Sequence, residues 1–259
     1  MARLARAPRP VIEVPGVGRE GERDARRELG DRAFCERAIE PETADDERDF
    51  GFFARRERTR VESGGAPAVG AGQPPVVGGD RVAVLCRNRI AFFEILFACA
   101  KAGAIMVPLS WRAPPAELDG LVADSAPKLL FYGVEDADFA AALNIPARIA
   151  LGTPDGYEAR VESAAASKTR DRWPSDACWY LIYTSGTTGA PKGVIQTYRM
   201  AMANYVNTLQ ATRLRGDDVM LNFLPLFHTA GINLHTLPLF IAGGTTLIAQ
   251  QFDPDAMLD

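Results

Sequence analysis

A run of hydroxyl and glycine residues closed by a lysine lies between residues 183 and 194, where the sequence reads YTSGTTGAPKGV. It follows ACWYLI (177–182), an apolar stretch typical of a buried strand. Glycines let a backbone approach a ligand and turn its N–H groups toward it, and hydroxyls add further donors. The donors and the cation of the run are Thr184, Ser185, Thr187 and Thr188, with Gly186, Gly189, Gly193 and Lys192. A loop of this kind is suited to hold a polyphosphate.

The run differs from the Walker A loop, which reads Gly-x-x-x-x-Gly-Lys-Ser/Thr and leads into a helix. Here Pro191 precedes Lys192, and a strand-like GVIQT (193–197) follows. This order disfavours a P-loop kinase or GTPase.

The segments around this run alternate between strand and helix patterns from Asp80 onward. We expect Asn88 to cap the first helix and Gly103 to end it. The predicted strands are 81–86, 104–110, 128–133, 147–152, 177–182, 193–197, 219–224 and 245–250; the predicted helices are 89–102, 114–125, 136–143, 198–213 and one that begins near Gly231. The alternation predicts an α/β domain with a mostly parallel sheet flanked by helices, which binds ligands at the carboxyl ends of its strands.

The first 80 residues have a different composition. They carry 14 Arg, no Lys and 16 acidic residues, and they end in SGGAPAVGAGQPPVVGG (63–79). One weak helical pattern covers 20–38, and a cap-like Asp253–Pro254 pair closes the sequence. The composition predicts a polar, disordered segment over 1–78 and a folded domain over 79–259.

Charge and cysteine content exclude several classes of protein. A net charge of −4 gives no basic footprint for nucleic acid, and Cys35, Cys86, Cys99 and Cys178 lack metal-ligand spacing. The amino terminus lacks the apolar run of a signal peptide, and the most apolar window (90–109) contains Glu94 and Lys101. We expect a cytoplasmic protein with no membrane span, no metal site and no nucleic-acid partner.

YTSGTTGAPKGV resembles the phosphate-loop signature of the adenylate-forming (AMP-binding) superfamily, in particular acyl-CoA synthetases and fatty-acid–CoA ligases. Two further segments are similar to that family: residues 79–112 to its early strand–helix–strand unit, and LPLFHTAGINLHTLPLFIAGGTTLI (224–248) to its acyl-site segment. The resemblance covers 79–259 and implies an incomplete large N-terminal domain of the adenylate-forming fold. Residues 1–78 do not resemble the family.

The resemblance implies a ligase that uses ATP with Mg²⁺ to activate a carboxylic acid as an acyl-adenylate and then transfers the acyl group to coenzyme A. The residues carried over as ligands of the ATP phosphates are Thr184, Ser185, Gly186, Thr187, Thr188, Gly189 and Lys192. It also implies that His228 lines the carboxylate side of the acyl pocket and that Gly231 leaves room for the acyl group. Amino-acid-adenylating relatives tend to carry an aspartate at the histidine position, so we expect an acid without an α-amino group.

Residues 79–259 lack the family's later motifs: the adenine-binding segment, the ribose-binding aspartate, and the C-terminal lid domain with its catalytic lysine. No residue is therefore assigned a catalytic role. Two interpretations remain open. The chain is an acyl-CoA synthetase-like ligase fragment, inactive unless a separate chain supplies the remainder, or it is a non-catalytic module that binds ATP or pyrophosphate.

Overall fold

The computed structural model describes residues 75–164, 172–184, 191–250 and 252, together with two backbone strands nearer the amino terminus. The strands are β1 (Ile12–Val14), β2 (Asp49–Phe50), β3 (Arg81–Leu85), β4 (Ile105–Leu109), β5 (Leu129–Gly133), β6 (Ala147–Leu151), β7 (Trp173–Pro174), β8 (Cys178–Thr184), β9 (Lys192–Thr197), β10 (Val219–Asn222) and β11 (Thr245–Ala249). The α-helices are α1 (Ile90–Ala102), α2 (Pro115–Ser125), α3 (Ala137–Ala142), α4 (Tyr157–Ser163), α5 (Tyr198–Thr212) and α6 (Thr236–Ala242).

Within these described residues, six strands form the main sheet in the order β6-β5-β3-β4-β8-β9. All neighbouring pairs are parallel except β8 and β9, which form an antiparallel hairpin. The predicted fold class, a mostly parallel sheet flanked by helices, is confirmed. The carboxyl ends of β3, β4, β5, β6 and β8 share one edge, which we call the carboxyl edge of the main sheet.

Two apolar layers cover the main sheet. On one face lies α1, whose Phe92, Phe93 and Leu96 are buried. Two buried tryptophans of β7 and β8 hydrogen-bond to α1. The indole N–H of Trp173 donates to the carbonyl of Ala100 at 2.6 Å, and that of Trp179 donates to the carbonyl of Leu96 at 2.9 Å. On the other face, α2 buries Leu118, Leu121 and Val122 against β4 and β5.

Strands β10 and β11 belong to a second sheet, in which β11 pairs in parallel with β10 on one side and with β1 on the other. The sequence pattern predicted β10 and β11 as strands but not the sheet that they join. Alternation of strands and helices specifies parallel pairing, but it does not specify which sheet a strand joins.

Several predicted boundaries need correction. Asn88 does not cap α1, because the N-cap is Arg89 and no side chain caps it. Gly103 does end that helix, in the left-handed region at φ 74°. The helix expected near Gly231 is a π-helix (Ala230–Leu234) followed by α6. Helix α4 and strand β7 were not predicted, since their segment is polar. The patterns at 20–38 and 253–254 lie outside the described residues.

Neither a membrane span nor a metal cluster is found in the described part of the chain. No helix there is long and apolar enough to cross a membrane. Cys86 and Cys99 are buried cysteines, and burial raises the pKa of the Cys99 thiol to about 12. A thiol that stays protonated in the core is inert, which agrees with a structural interpretation.

Candidate nucleotide and acid site

The hairpin formed by β8 and β9 ends at the carboxyl edge of the main sheet. Thr184, the last residue of β8, is paired with Lys192, the first residue of β9, and both are exposed. A hydroxyl and an ammonium group therefore flank the open end of the hairpin. The other predicted phosphate ligands, Ser185, Gly186, Thr187, Thr188 and Gly189, lie outside the described residues.

Next to its open end, the β8–β9 hairpin is hydrogen-bonded to α2. The hydroxyl of Tyr183 donates to the carboxylate of Asp124. Burial, reinforced by this carboxylate, raises the pKa of Tyr183 to about 12, so the hydroxyl remains a donor at neutral pH. A Cβ at Gly193 would lie 3.2 Å from the ring of Tyr183, which explains a glycine opposite this tyrosine.

The second predicted part of the site is the segment between β10 and the π-helix, residues 223–229, which we call the histidine loop. His228 is exposed, and its Nδ1 accepts a hydrogen bond from the backbone N–H of Ala230 at 3.3 Å. The neutral ring consequently carries its proton on Nε2, and this N–H is available to a ligand. A neutral donor at this point can hold a carboxylate oxygen.

Gly231 follows the histidine loop and packs against it. A Cβ at this position would lie 2.2 Å from the carbonyl oxygen of Pro225 and 2.7 Å from its carbonyl carbon. Packing thus explains the glycine at position 231, because two backbone segments approach each other closely there. Its part in leaving room for an acyl group stays a prediction.

Buried amides hold the histidine loop at both ends. Asn222 Nδ2 donates to the carbonyl of Gly231 at 2.7 Å and to the hydroxyl of Thr236 at 2.8 Å, while its Oδ1 accepts from the N–H of Leu224. Asn88, at the turn from β3 into α1, also bonds to this loop. Hydrogen bonds of this kind restrict the backbone of an otherwise irregular segment.

A polar cluster connects β8 to the π-helix that carries Gly231. The hydroxyl of Tyr180 donates to Asn233 Oδ1 at 2.6 Å, and the carbonyl of Asn233 accepts from Asn204 Nδ2 at 2.6 Å. Asn233 Nδ2 donates to Thr229 Oγ1 at 3.0 Å, within one residue of His228. Through these contacts, the strand that leads to Thr184 also supports the histidine loop.

Trp111 lies at the carboxyl edge just after β4. The guanidinium carbons of Arg87 and Arg112 lie 3.5 and 4.6 Å from the centre of its ring. The ring of Phe227, next to His228, meets it edge-to-face at 6.1 Å. The carboxyl edge of the main sheet therefore contacts the histidine loop through an aromatic pair as well as through Asn88.

The structure thus connects the β8–β9 hairpin to the histidine loop through Tyr180 and Asn233. These two residues, and Asn88 and Asn222, which also hold the loop, were not predicted as part of the site. One signal could have marked them: a polar residue inside an apolar segment has to be hydrogen-bonded, and each of these lies within or beside such a segment.

The described side chains at the open end of the hairpin are hydrogen-bond donors, which suits the negative charge of a nucleotide. Among the described residues, no group of three His, Cys, Asp or Glu side chains could hold a metal ion. The hydroxyl of Thr184 and the ammonium of Lys192 have the donor chemistry that phosphate oxygens require. Both side chains fit an anionic ligand better than a bare cation.

These features define an α/β protein with exposed hydrogen-bond donors at the carboxyl edge of a mostly parallel sheet. Residues 76–259 match the model of the AMP-binding enzyme family. The chain belongs to this family, and the family resemblance of the sequence is confirmed.

The chain is similar to feruloyl-CoA synthase from Amycolatopsis sp, with 42% identity over 70% of this chain and 36% of that protein. It is 37% identical to indoleacetate–CoA ligase from Aromatoleum aromaticum, over 69% of this chain and 37% of that protein. Among solved structures, ATP-bound MatB from Rhodopseudomonas palustris superposes with a TM-score of 0.65 and 27% identity, covering 77% of this chain and 41% of that one. The chain therefore spans little more than a third of the length of these two curated relatives.

Proposed function

We propose that this chain contributes to the ATP-dependent activation of a carboxylic acid for transfer to coenzyme A. The observation that carries the proposal is the pairing of Thr184 with Lys192 at the open end of the β8–β9 hairpin. Its position at the carboxyl edge is where α/β sheets bind ligands. Relatives named as CoA synthase and CoA ligase support the reaction class.

In this proposal the hairpin holds the β- and γ-phosphates of ATP, which leave as pyrophosphate. Lys192 and the donors of residues 184–189 orient these phosphates and spread the charge that develops on them. Mg²⁺ would accompany the nucleotide and share this charge, and no protein ligand is assigned to it. These residues act by binding and orientation, without a covalent step.

The histidine loop would flank the acid. The Nε2–H of His228 is suited to donate to the acid's carboxylate, because the Nδ1 of that ring accepts from the backbone of Ala230. Position 228 holds histidine where amino-acid-activating relatives tend to carry aspartate, which supports an acid without an α-amino group. Ferulate and indoleacetate, named in the relatives, are reasonable first candidates.

A module that binds ATP or pyrophosphate without turnover is the second candidate. It requires only the donors at the open end of the β8–β9 hairpin, such as Thr184 and Lys192. The comparisons give no support to a separate chain that supplies the remainder.

Isotope exchange between labelled pyrophosphate and ATP separates the two candidates. The assay uses this chain with Mg²⁺ and either ferulate, indoleacetate or a long-chain fatty acid. Acid-dependent exchange would establish ligase chemistry in the chain itself. Nucleotide binding without exchange would favour the module that binds without turnover, which agrees with the lack of the family's adenine, ribose and lysine motifs in 79–259. Absence of any nucleotide binding would contradict both candidates.

A further inference from the structure

We infer that Asn88 is a positioning residue that holds the histidine loop against the carboxyl edge of the main sheet. The inference rests on the proposed function in one respect, that the histidine loop forms the acid side of the site. Asn88 is buried at the turn between β3 and α1, and its side chain reaches the histidine loop and the end of β11. Its role is therefore long-range rather than the helix cap that the sequence predicted.

The contacts of Asn88 require both the NH₂ group and the carbonyl oxygen of its side-chain amide. Its Nδ2 donates to the carbonyls of Leu224 and Ala249, each at 3.0 Å, and its Oδ1 accepts from the N–H of Leu226 at 3.1 Å. An aspartate has the same shape, but when ionised it donates nothing and would face two carbonyl oxygens with a negative charge. An alanine would leave three backbone groups without a partner.

These contacts join the two sheets at their ligand-binding ends. Ala249 is the last residue of β11, and Leu224 and Leu226 lie in the histidine loop just after β10. The hydrogen bonds span 136 to 161 residues of sequence. Asn222, by contrast, holds the same loop to residues 224–236 of its own neighbourhood. Asn88 therefore sets the position of the loop relative to the main sheet, which also carries Thr184 and Lys192.

The test compares Asn88→Ala and Asn88→Asp with two controls. Asn144→Asp makes the same chemical change at an exposed asparagine. Ser125→Ala removes a buried hydrogen bond of 2.6 Å, from the serine hydroxyl to the carbonyl of Leu121, on the opposite face of the main sheet. Ser125 also contacts Tyr183 of the hairpin, so Ser125→Ala controls for a general loss of stability in the exchange and NMR measurements and is left out of the affinity measurement.

Three measurements are made on the variants. Amide hydrogen exchange reports on residues 222–230 and on β5 and β6. NMR of the histidine rings reports on His228, which is one of only two histidines in the chain. Calorimetry gives the affinity for Mg·ATP.

We expect exchange in 222–230 to be faster by about tenfold or more in Asn88→Ala, with the larger effect in Asn88→Asp. The His228 ring resonances should move in both variants and stay in place in Ser125→Ala. Affinity for Mg·ATP should change by less than about twofold, because Asn88 contacts neither β8 nor β9.

Unchanged exchange in 222–230, or an equal increase throughout β5 and β6, would overturn the inference. If both Asn88 variants fail to fold while Ser125→Ala folds, Asn88 is a residue of the whole fold and the inference also fails. If the unaltered chain does not bind Mg·ATP, the proposed function fails. The hydrogen-exchange result still tests the inference about Asn88 in that case.

Discussion

The β8–β9 hairpin and the histidine loop present their polar groups to a ligand in opposite ways. The hairpin is regular backbone, and its exposed Thr184 and Lys192 follow directly from strand pairing. The histidine loop is irregular, and it carries the exposed His228. Two buried amides hold this loop: Asn222 beside it and Asn88 from the distant turn between β3 and α1. Local strand pairing positions the side chains of the hairpin, whereas tertiary contacts position the histidine loop. Substitutions in the hairpin should therefore change ligand binding without changing stability. Substitutions in the histidine loop should change stability first.

The largest effect is expected for Asn222→Ala. This change leaves the carbonyl of Gly231, the hydroxyl of Thr236 and the N–H of Leu224 without their buried partner. We expect the free energy of unfolding to fall by about 3 kcal/mol or more. Urea denaturation measures it, with Asn144→Ala at an exposed position as the control. A fall below about 1 kcal/mol would contradict the role given to buried amides.

Gly231→Ala tests the close approach between the π-helix and the histidine loop. The new Cβ would clash with the carbonyl of Pro225, and a backbone group cannot move aside as a side chain can. We expect a loss of about 2 kcal/mol in stability. Gly120→Ala is the matched control. Gly120 lies within α2 with nothing within 4 Å of its Cβ position, so this change should stabilise by about 0.5–1 kcal/mol. Equal effects of the two changes would show that the approach is not tight.

Lys192→Ala should weaken binding of pyrophosphate with Mg²⁺ by about 1.5–2 kcal/mol, through loss of a charge-assisted contact. The melting temperature should not change, because the Lys192 side chain is exposed. Arg172→Ala removes an exposed cation elsewhere and serves as the control for overall charge. An equal loss of affinity in the two variants would mean that the chain attracts the anion through its general charge and not through the hairpin.

Asp136→Asn has the smallest expected effect, and its sign depends on pH. Burial raises the pKa of Asp136, although Arg87 at 3.8 Å opposes this shift. An acid whose pKa is raised in the folded state makes folding less favourable as pH rises from its ordinary value of 3.8 through the raised value. Asp136→Asn should therefore stabilise by about 1 kcal/mol at neutral pH, and the gain should vanish below about pH 3.5. Unfolding curves of both proteins from pH 3 to 8 measure this difference, and a gain that does not depend on pH would contradict the assignment.

The difference between the two regions also explains what the sequence could predict. The α/β class, most strand positions and the left-handed Gly103 follow from local patterns and were predicted. The true partners of Asn88 lie more than 130 residues away along the chain, which periodicity does not encode. Nor does periodicity encode which sheet β10 and β11 join. His228 was selected by family resemblance, but its supports, Asn222 and Asn233, read as ordinary polar residues near apolar segments.

Titration with Mg·ATP of the unaltered chain, Lys192→Ala and His228→Ala tests the central claim most directly, that nucleotide binds at the β8–β9 hairpin and acid at the histidine loop. The account predicts measurable binding to the unaltered chain, affinity lowered by about tenfold or more in Lys192→Ala, and affinity within about twofold in His228→Ala. Binding that is absent from the unaltered chain, or that depends on His228 as strongly as on Lys192, would contradict it.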